Sequence, residues 1–183
     1  MKYKNNVHMA KLLVFCFTLF FSGLVGAQSV EELDRRNGFK DIKMTSQITD
    51  YEGLEFKKEI DSDIFPKVYQ YVRKKGFYDT IGGIKVFDLE VNTYDSAIYE
   101  IRIVTEKNPN LYKALKKNFG QPEYDYRGDK YYWKTDNLRL SYDSHSKTKI
   151  EMVYFSYLMT AKLKEDKKQV VEDIADDFSD LEN

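Results

Sequence analysis

A chain of 183 residues with 29 basic and 30 acidic side chains and 15 tyrosines is long enough for one globular domain and too evenly charged for a nucleic-acid partner, which calls for a basic face. Its single cysteine excludes an internal disulfide, and of its two histidines only His145 lies beyond the first 27 residues, which leaves no multiple-histidine metal centre in the body that follows. The sequence holds no motif for a cofactor, a metal or a catalytic group.

The first 27 residues read as a secretory signal. Lys2, Lys4 and Lys11 form a positive stretch without an acid. An apolar run over 12–25 follows, and then Val25-Gly26-Ala27 supplies small residues for cleavage after Ala27. The run is 14 residues long, short of the ~20 that span hydrocarbon, so an integral membrane span is not expected. Cys16 lies inside the run and not at its end, where a lipoprotein cysteine would stand. The expected product is exported, periplasmic or secreted. Removing 27 of 183 residues leaves 156, with 26 basic and 30 acidic side chains.

Residues 28–38 are polar and read as a mobile lead-in to a domain over 39–158. Phe39, Ile42 and Met44 suggest a short strand, and Thr45-Ser46 can cap a brief helix ending near Gly53. Ile64, Val68, Tyr71 and Val72 repeat at helical spacing before Gly76, which predicts a helix over 64–75. Ile84, Val86, Leu89 and Val91 predict a strand with a bulge between 86 and 89. Ala97, Tyr99, Ile101 and Ile103 predict a partner strand with Glu100 and Arg102 facing outward.

Asn108 and Pro109 are suited to N-cap and first turn of a helix whose apolar face is Leu111, Tyr112, Leu115 and Phe119; Gly120 and Pro122 end it. Strands follow at 130–134, 138–142 and 149–156. Leu163, Val170, Ile174 and Leu181 form the stripe of an amphipathic helix at the C-terminal end, residues 159–183 with an acidic tail. Lys162, Lys164, Lys167 and Lys168 precede Glu172, Asp173, Asp176, Asp177 and Asp180, an order that opposes the macrodipole and favours fraying of the last turns.

The stretches 68–75 and 111–118 echo each other at a period of 43 residues, compatible with two tandem helix-plus-sheet units. The run 115–122, LKKNFGQP, then Tyr131-Tyr132-Trp133, then Leu138-Arg139-Leu140 resembles a helix, FG-x-P, strand, W, strand unit. Modules of the β-lactamase-inhibitor-protein type and small outer-membrane-assembly lipoproteins use such units, as do small exported α+β proteins of Bacteroidetes-like bacteria. The resemblance covers 108–156 well and 39–105 loosely. It implies a non-catalytic protein that binds other proteins through a sheet face, and it carries over no site residue.

Several constellations have a plain alternative. His145 shares one polar turn with Asp143, Ser144 and Ser146, whereas a catalytic triad draws its members from separate rigid elements. Asp173, Asp176 and Asp177 lack the spacing and glycine of a calcium loop. Glu90, Glu100 and Glu151 sit on strands and could form a carboxylate pair or simply pair with Arg102. Arg127-Gly128-Asp129 spells an adhesion tripeptide and is also ordinary turn chemistry.

The best surface candidate is Tyr124, Tyr126, Tyr131 and Tyr132, next to Trp133. Alternation sends Tyr131 and Trp133 one way and Tyr132 the other; with Trp133 in the core, Tyr132 is the exposed contact. The expectation is an α+β fold: an antiparallel sheet, helices on one face and a C-terminal amphipathic helix. The expected function is an exported non-catalytic binding module for an envelope or extracellular protein. The alternatives are a glycan-binding or carboxylate-dependent glycan-cleaving protein, and a structural envelope component that uses the 160–181 helix.

Overall fold

Alternating apolar residues from residue 84 onward need strand partners, and the chain supplies them as a meander broken by one helix. A computed structural model describes residues 29–62 and 64–179, with side chains as far as residue 172. The segment over 1–27 read as a secretory signal, and the acidic positions 173, 176 and 177 weighed against a calcium loop, lie outside the described side chains. In order come α1 (Glu31–Arg36), β1 (Gly38–Phe39), β2 (Ile42–Lys43), a 3-10 turn (Ile48–Asp50), β3 (Leu54–Ile60), β4 (Val68–Arg73), β5 (Thr80–Ile81) and β6 (Ile84–Tyr94). Then follow β7 (Ala97–Glu106), α2 (Pro109–Phe119), β8 (Glu123–Asp125), β9 (Lys130–Lys134), β10 (Leu138–Ser144), β11 (Lys149–Ser156) and α3 (Tyr157–Ser179).

The fold is α+β. One antiparallel sheet runs β3-β4-β6-β7-β11-β10-β9-β8, with β5 beside β6 and β1-β2 a separate hairpin. From the centre of the sheet, β7 hands the chain to α2, which crosses to the far edge. The meander β8 to β11 then returns until β11 pairs with β7, Met152 opposite Ile103. Asn108 caps α2 by accepting from the Asn110 N–H, Pro109 opens it, and Gly120 at φ 81° ends it. Leu111, Leu115 and Phe119 lie buried against Trp133, Leu140 and Met152.

Three regions depart from the pattern-based expectation. Residues 68–73 are strand β4, hydrogen-bonded to β3 and to β6. Val-Tyr-Gln-Tyr-Val is β-branched and aromatic and alternates with period two, so it fits a ladder as well as a helix; two waiting neighbours decide for the strand. The two echo segments are thus one strand and one helix, and tandem units are not supported. β3 has no visible alternation because Glu55, Lys57, Lys58 and Glu59 dominate it. It is an edge strand, bulged between Phe56 and Lys58, and charge with a bulge deters edge pairing.

The polar segment over 28–38 contains α1. A helix of six residues is unstable by itself; tertiary contacts hold it. Leu33 is fully buried in the main core. The Asp34 carboxylate accepts from Thr135 Oγ1 at 2.6 Å and Asn137 Nδ2 at 3.2 Å, and Arg36 Nη2 donates to Asn118 Oδ1 at 3.0 Å. Gly38, at φ 137°, then closes β1 onto β2 so tightly that a Cβ would strike the Ile42 carbonyl.

The helices are not all on one face. α1 and α2 cover the face of Leu89, Val91, Ile101 and Ile103. The opposite face carries a smaller cluster in which α3 docks Met159 and Leu163 on Phe65, Val68, Ala97 and Tyr99. Tyr99 reaches that face because a second irregularity, between Asn92 and Thr93 of β6, breaks the alternation of β7. Beyond Leu163 the stripe separates from the body: Val170 and Val171 are 57% and 67% exposed. Among the described residues no helix is long and apolar enough to cross a membrane.

Candidate functional site

The open face of the sheet, beyond the reach of α3, is polar at its centre. Glu90 of β6, Arg102 of β7 and Glu151 of β11 lie side by side across the ladder, as the register Glu90↔Arg102 and Glu151↔Val104 requires. Arg102 bridges both acids, to Glu90 at 3.2 Å and to Glu151 at 2.5 Å. Burial raises the Glu90 carboxyl, but hydrogen bonds from Lys57 and Arg102 outweigh it and hold the group below its ordinary value. Glu100, one row along, accepts from Asn92 Nδ2 at 2.8 Å, and burial pushes its carboxyl up. The three glutamates thus share a face, two of them bound to one guanidinium, which is how a structural network satisfies partly buried charge.

At the β8–β9 edge the same face forms a cleft of about 480 Å³. The hairpin that builds it turns on Asp125, whose Oδ1 accepts the Arg127 and Gly128 N–H groups at 3.0 and 3.1 Å. Those two bonds hold the Asp125 carboxyl below its usual value. The adhesion-like tripeptide is therefore this turn, with Asp129 tied to the Tyr124 hydroxyl. Tyrosines 124, 126, 132 and 157 wall the cleft, and Arg127, Lys130, Lys134 and Arg139 give it four cations against the single lining acid Asp125.

Two of those cations stand directly opposite each other, Arg139 of β10 against Lys134 of β9. Like charges facing across an antiparallel pair are destabilising. Neither makes an ion pair within 4 Å among the described residues, although the Glu100 carboxyl feels the Arg139 charge and Lys134 also borders a groove with Glu31, Asp34, Glu123 and Asp136. The Lys134 ammonium lies 5.4 Å over the Tyr157 ring and the Arg139 guanidinium 5.8 Å over Phe155. Among the described residues, buried Arg139 Nε makes no hydrogen bond.

The four tyrosines singled out from the sequence fall on both sides of the hairpin. Tyr132 is on the open face beside the cationic row and donates to Glu123 Oε2 at 2.6 Å. Tyr131 is on the α2 face, its ring 5.1 Å from Tyr112, with Tyr124 opposite it in register. Tyr126 stands at the turn, 88% exposed, edge-on to Tyr124 at 4.9 Å. Trp133 is core, 2% exposed, and donates to the Gly120 carbonyl at 2.9 Å. The cations escaped the sequence reading, although alternation alone places Lys130, Tyr132 and Lys134 on one side of β9. The register that sets Arg139 opposite Lys134 has no local signature.

His145 lies in the exposed β10–β11 turn, its Nδ1 3.5 Å from Glu151. Its neighbour Ser144 donates to the Ser146 carbonyl, away from the ring. Among the described residues no group of three or more acidic, cysteine or histidine side chains is placed to hold a metal. Comparison of the chain with protein-family models, with curated proteins and with solved structures finds no significant match.

Proposed function

We propose that this is an exported, non-catalytic binding module whose β8–β9 cleft takes an acidic segment of an envelope or extracellular protein. The observation that carries the reading is the Lys134–Arg139 pair: two like charges in register, neither in an ion pair among the described residues, set between Tyr132, Tyr157 and Phe155. An acidic chain laid along this row would relieve the repulsion, and an arginine with adjacent tyrosines has the composition of an interface hot spot. The acids nearest the cleft are already engaged, Glu123 by Tyr132 and Asp125 by its own turn, which supports binding over carboxylate-dependent cleavage.

The test is affinity capture from the source cell's envelope with the intact protein and with an Arg139→Glu, Lys134→Glu double variant. A protein enriched by the first and lost with the second supports the proposal. Equal enrichment by both removes it. The exposed Tyr126 ring supports a second reading, an acidic glycan stacked on the turn. There Tyr126→Ala abolishes binding to an anionic polysaccharide and leaves protein capture unchanged.

A further inference from the structure

On the opposite side of the sheet, α1, α2 and the β1–β2 hairpin enclose a second cleft of about 610 Å³, within the ~300–1,000 Å³ range of small-molecule sites. Phe39, Ile81, Ile84, Leu111, Leu115 and Phe119 supply its apolar wall. Arg35, Arg36, Lys40 and Lys43 are its charged lining residues, and no acid lines it. Glu32 engages Arg35 and Arg36, and the Lys43 ammonium donates to the Arg36 carbonyl. The Lys40 ammonium lies over the faces of Phe39 and Tyr78, 5.8 Å from each ring centroid, and makes no ion pair among the described residues.

At the floor lies Tyr154 of β11, 5% exposed. No hydrogen bond of its hydroxyl is seen among the described residues, and the residue lines the cleft, so the hydroxyl can donate to a bound molecule. Burial pushes the phenol up to about 12, so at neutral pH it is protonated and acts as a donor. An apolar wall, a lining with cations and no acid, and one hydroxyl donor at the floor together describe a host for a molecule with an anionic end and an apolar body.

We propose that this cleft binds an amphipathic monocarboxylate, its chain along Leu111, Leu115 and Phe119 and its carboxylate between Tyr154 and the Lys40 side. The proposal is independent of the β8–β9 site, which lies at the other face.

Trp133 is the single tryptophan of the chain, and its ring is 6.2 Å from that of Phe119 in the cleft wall, so its fluorescence reports occupancy. The full chain is titrated with dodecanoate and, separately, with dodecanol. Expected is a saturable Trp133 signal with dodecanoate, at least tenfold tighter than with dodecanol. Tyr154→Phe, which removes only the hydroxyl, weakens dodecanoate about tenfold and leaves dodecanol unchanged. Ala114→Phe, at an exposed α2 position that lines the cleft, blocks both without touching the core. No saturable dodecanoate signal overturns the proposal. So does dodecanol binding equal to dodecanoate, or binding that survives Ala114→Phe.

Discussion

Beneath α1 and α2 the sheet presents Leu89, Val91, Ile101, Ile103, Leu140 and Met152, each at most 1% exposed; across the same strands its other face presents Glu90, Asn92, Glu100, Arg102, Arg139 and Glu151. The first face is closed by helices and held by apolar area. The second is closed only at one end, where α3 sets Met159 and Leu163 on Tyr99 and Val68. Its centre is held by pairing, and among the described residues pairing is incomplete: Gln70 Oε1, Asn92 Oδ1 and Arg139 Nε are buried without partners. Strand alternation thus lets one sheet serve packing on one side and recognition on the other.

The largest effect is expected on the covered face. Trp133→Ala removes the ring that Phe119 and Tyr112 pack on and is expected to cost about 3–5 kcal/mol in urea denaturation. A loss under 1 kcal/mol would mean that this face is not the main core. Next, Arg102→Ala frees Glu90 and Glu151 from their shared partner. Arg102 is 37% exposed at its side chain, so the expected cost is about 1 kcal/mol, smaller in high salt. A cost independent of salt would assign the residue to packing.

The smallest effect changes in size with pH. Glu100 titrates higher in the folded chain than in the unfolded one because of burial. Its contribution to stability is therefore complete below the ordinary glutamate value and is lost as pH rises through the folded value. Glu100→Gln keeps an acceptor for Asn92 and removes that loss. It is expected to raise the melting temperature relative to the parent at pH 7 and to have less effect at pH 4. An equal shift at both values would show that Glu100 does not carry this pH dependence.

The candidate sites were legible to different degrees. The aromatic half of the β8–β9 cleft was readable, since Tyr126 and Tyr132 stand out in a short polar stretch. Its cations were not, because Arg139 gains its meaning from Lys134 across the ladder. Nothing local in the sequence distinguishes Tyr154 from the other strand tyrosines. Its hydroxyl becomes notable only because α1 and α2 form a cleft above it.

By itself the sequence determined α2, whose cap, proline and terminal glycine act within a turn of the residues they organise. It likewise determined β9, β10 and β11 and the bulge in β6, where alternation and its interruption can be read directly along the chain. The tertiary structure alone decided that Val68–Arg73 is a strand, that Glu31–Arg36 is a helix and that α3 crosses to the open face. In each of these the local preference is weak or divided. A ladder partner from β3 and β6, a socket for Leu33, or an aromatic cluster around Tyr99 supplies the deciding free energy, and these partners lie far away in the chain.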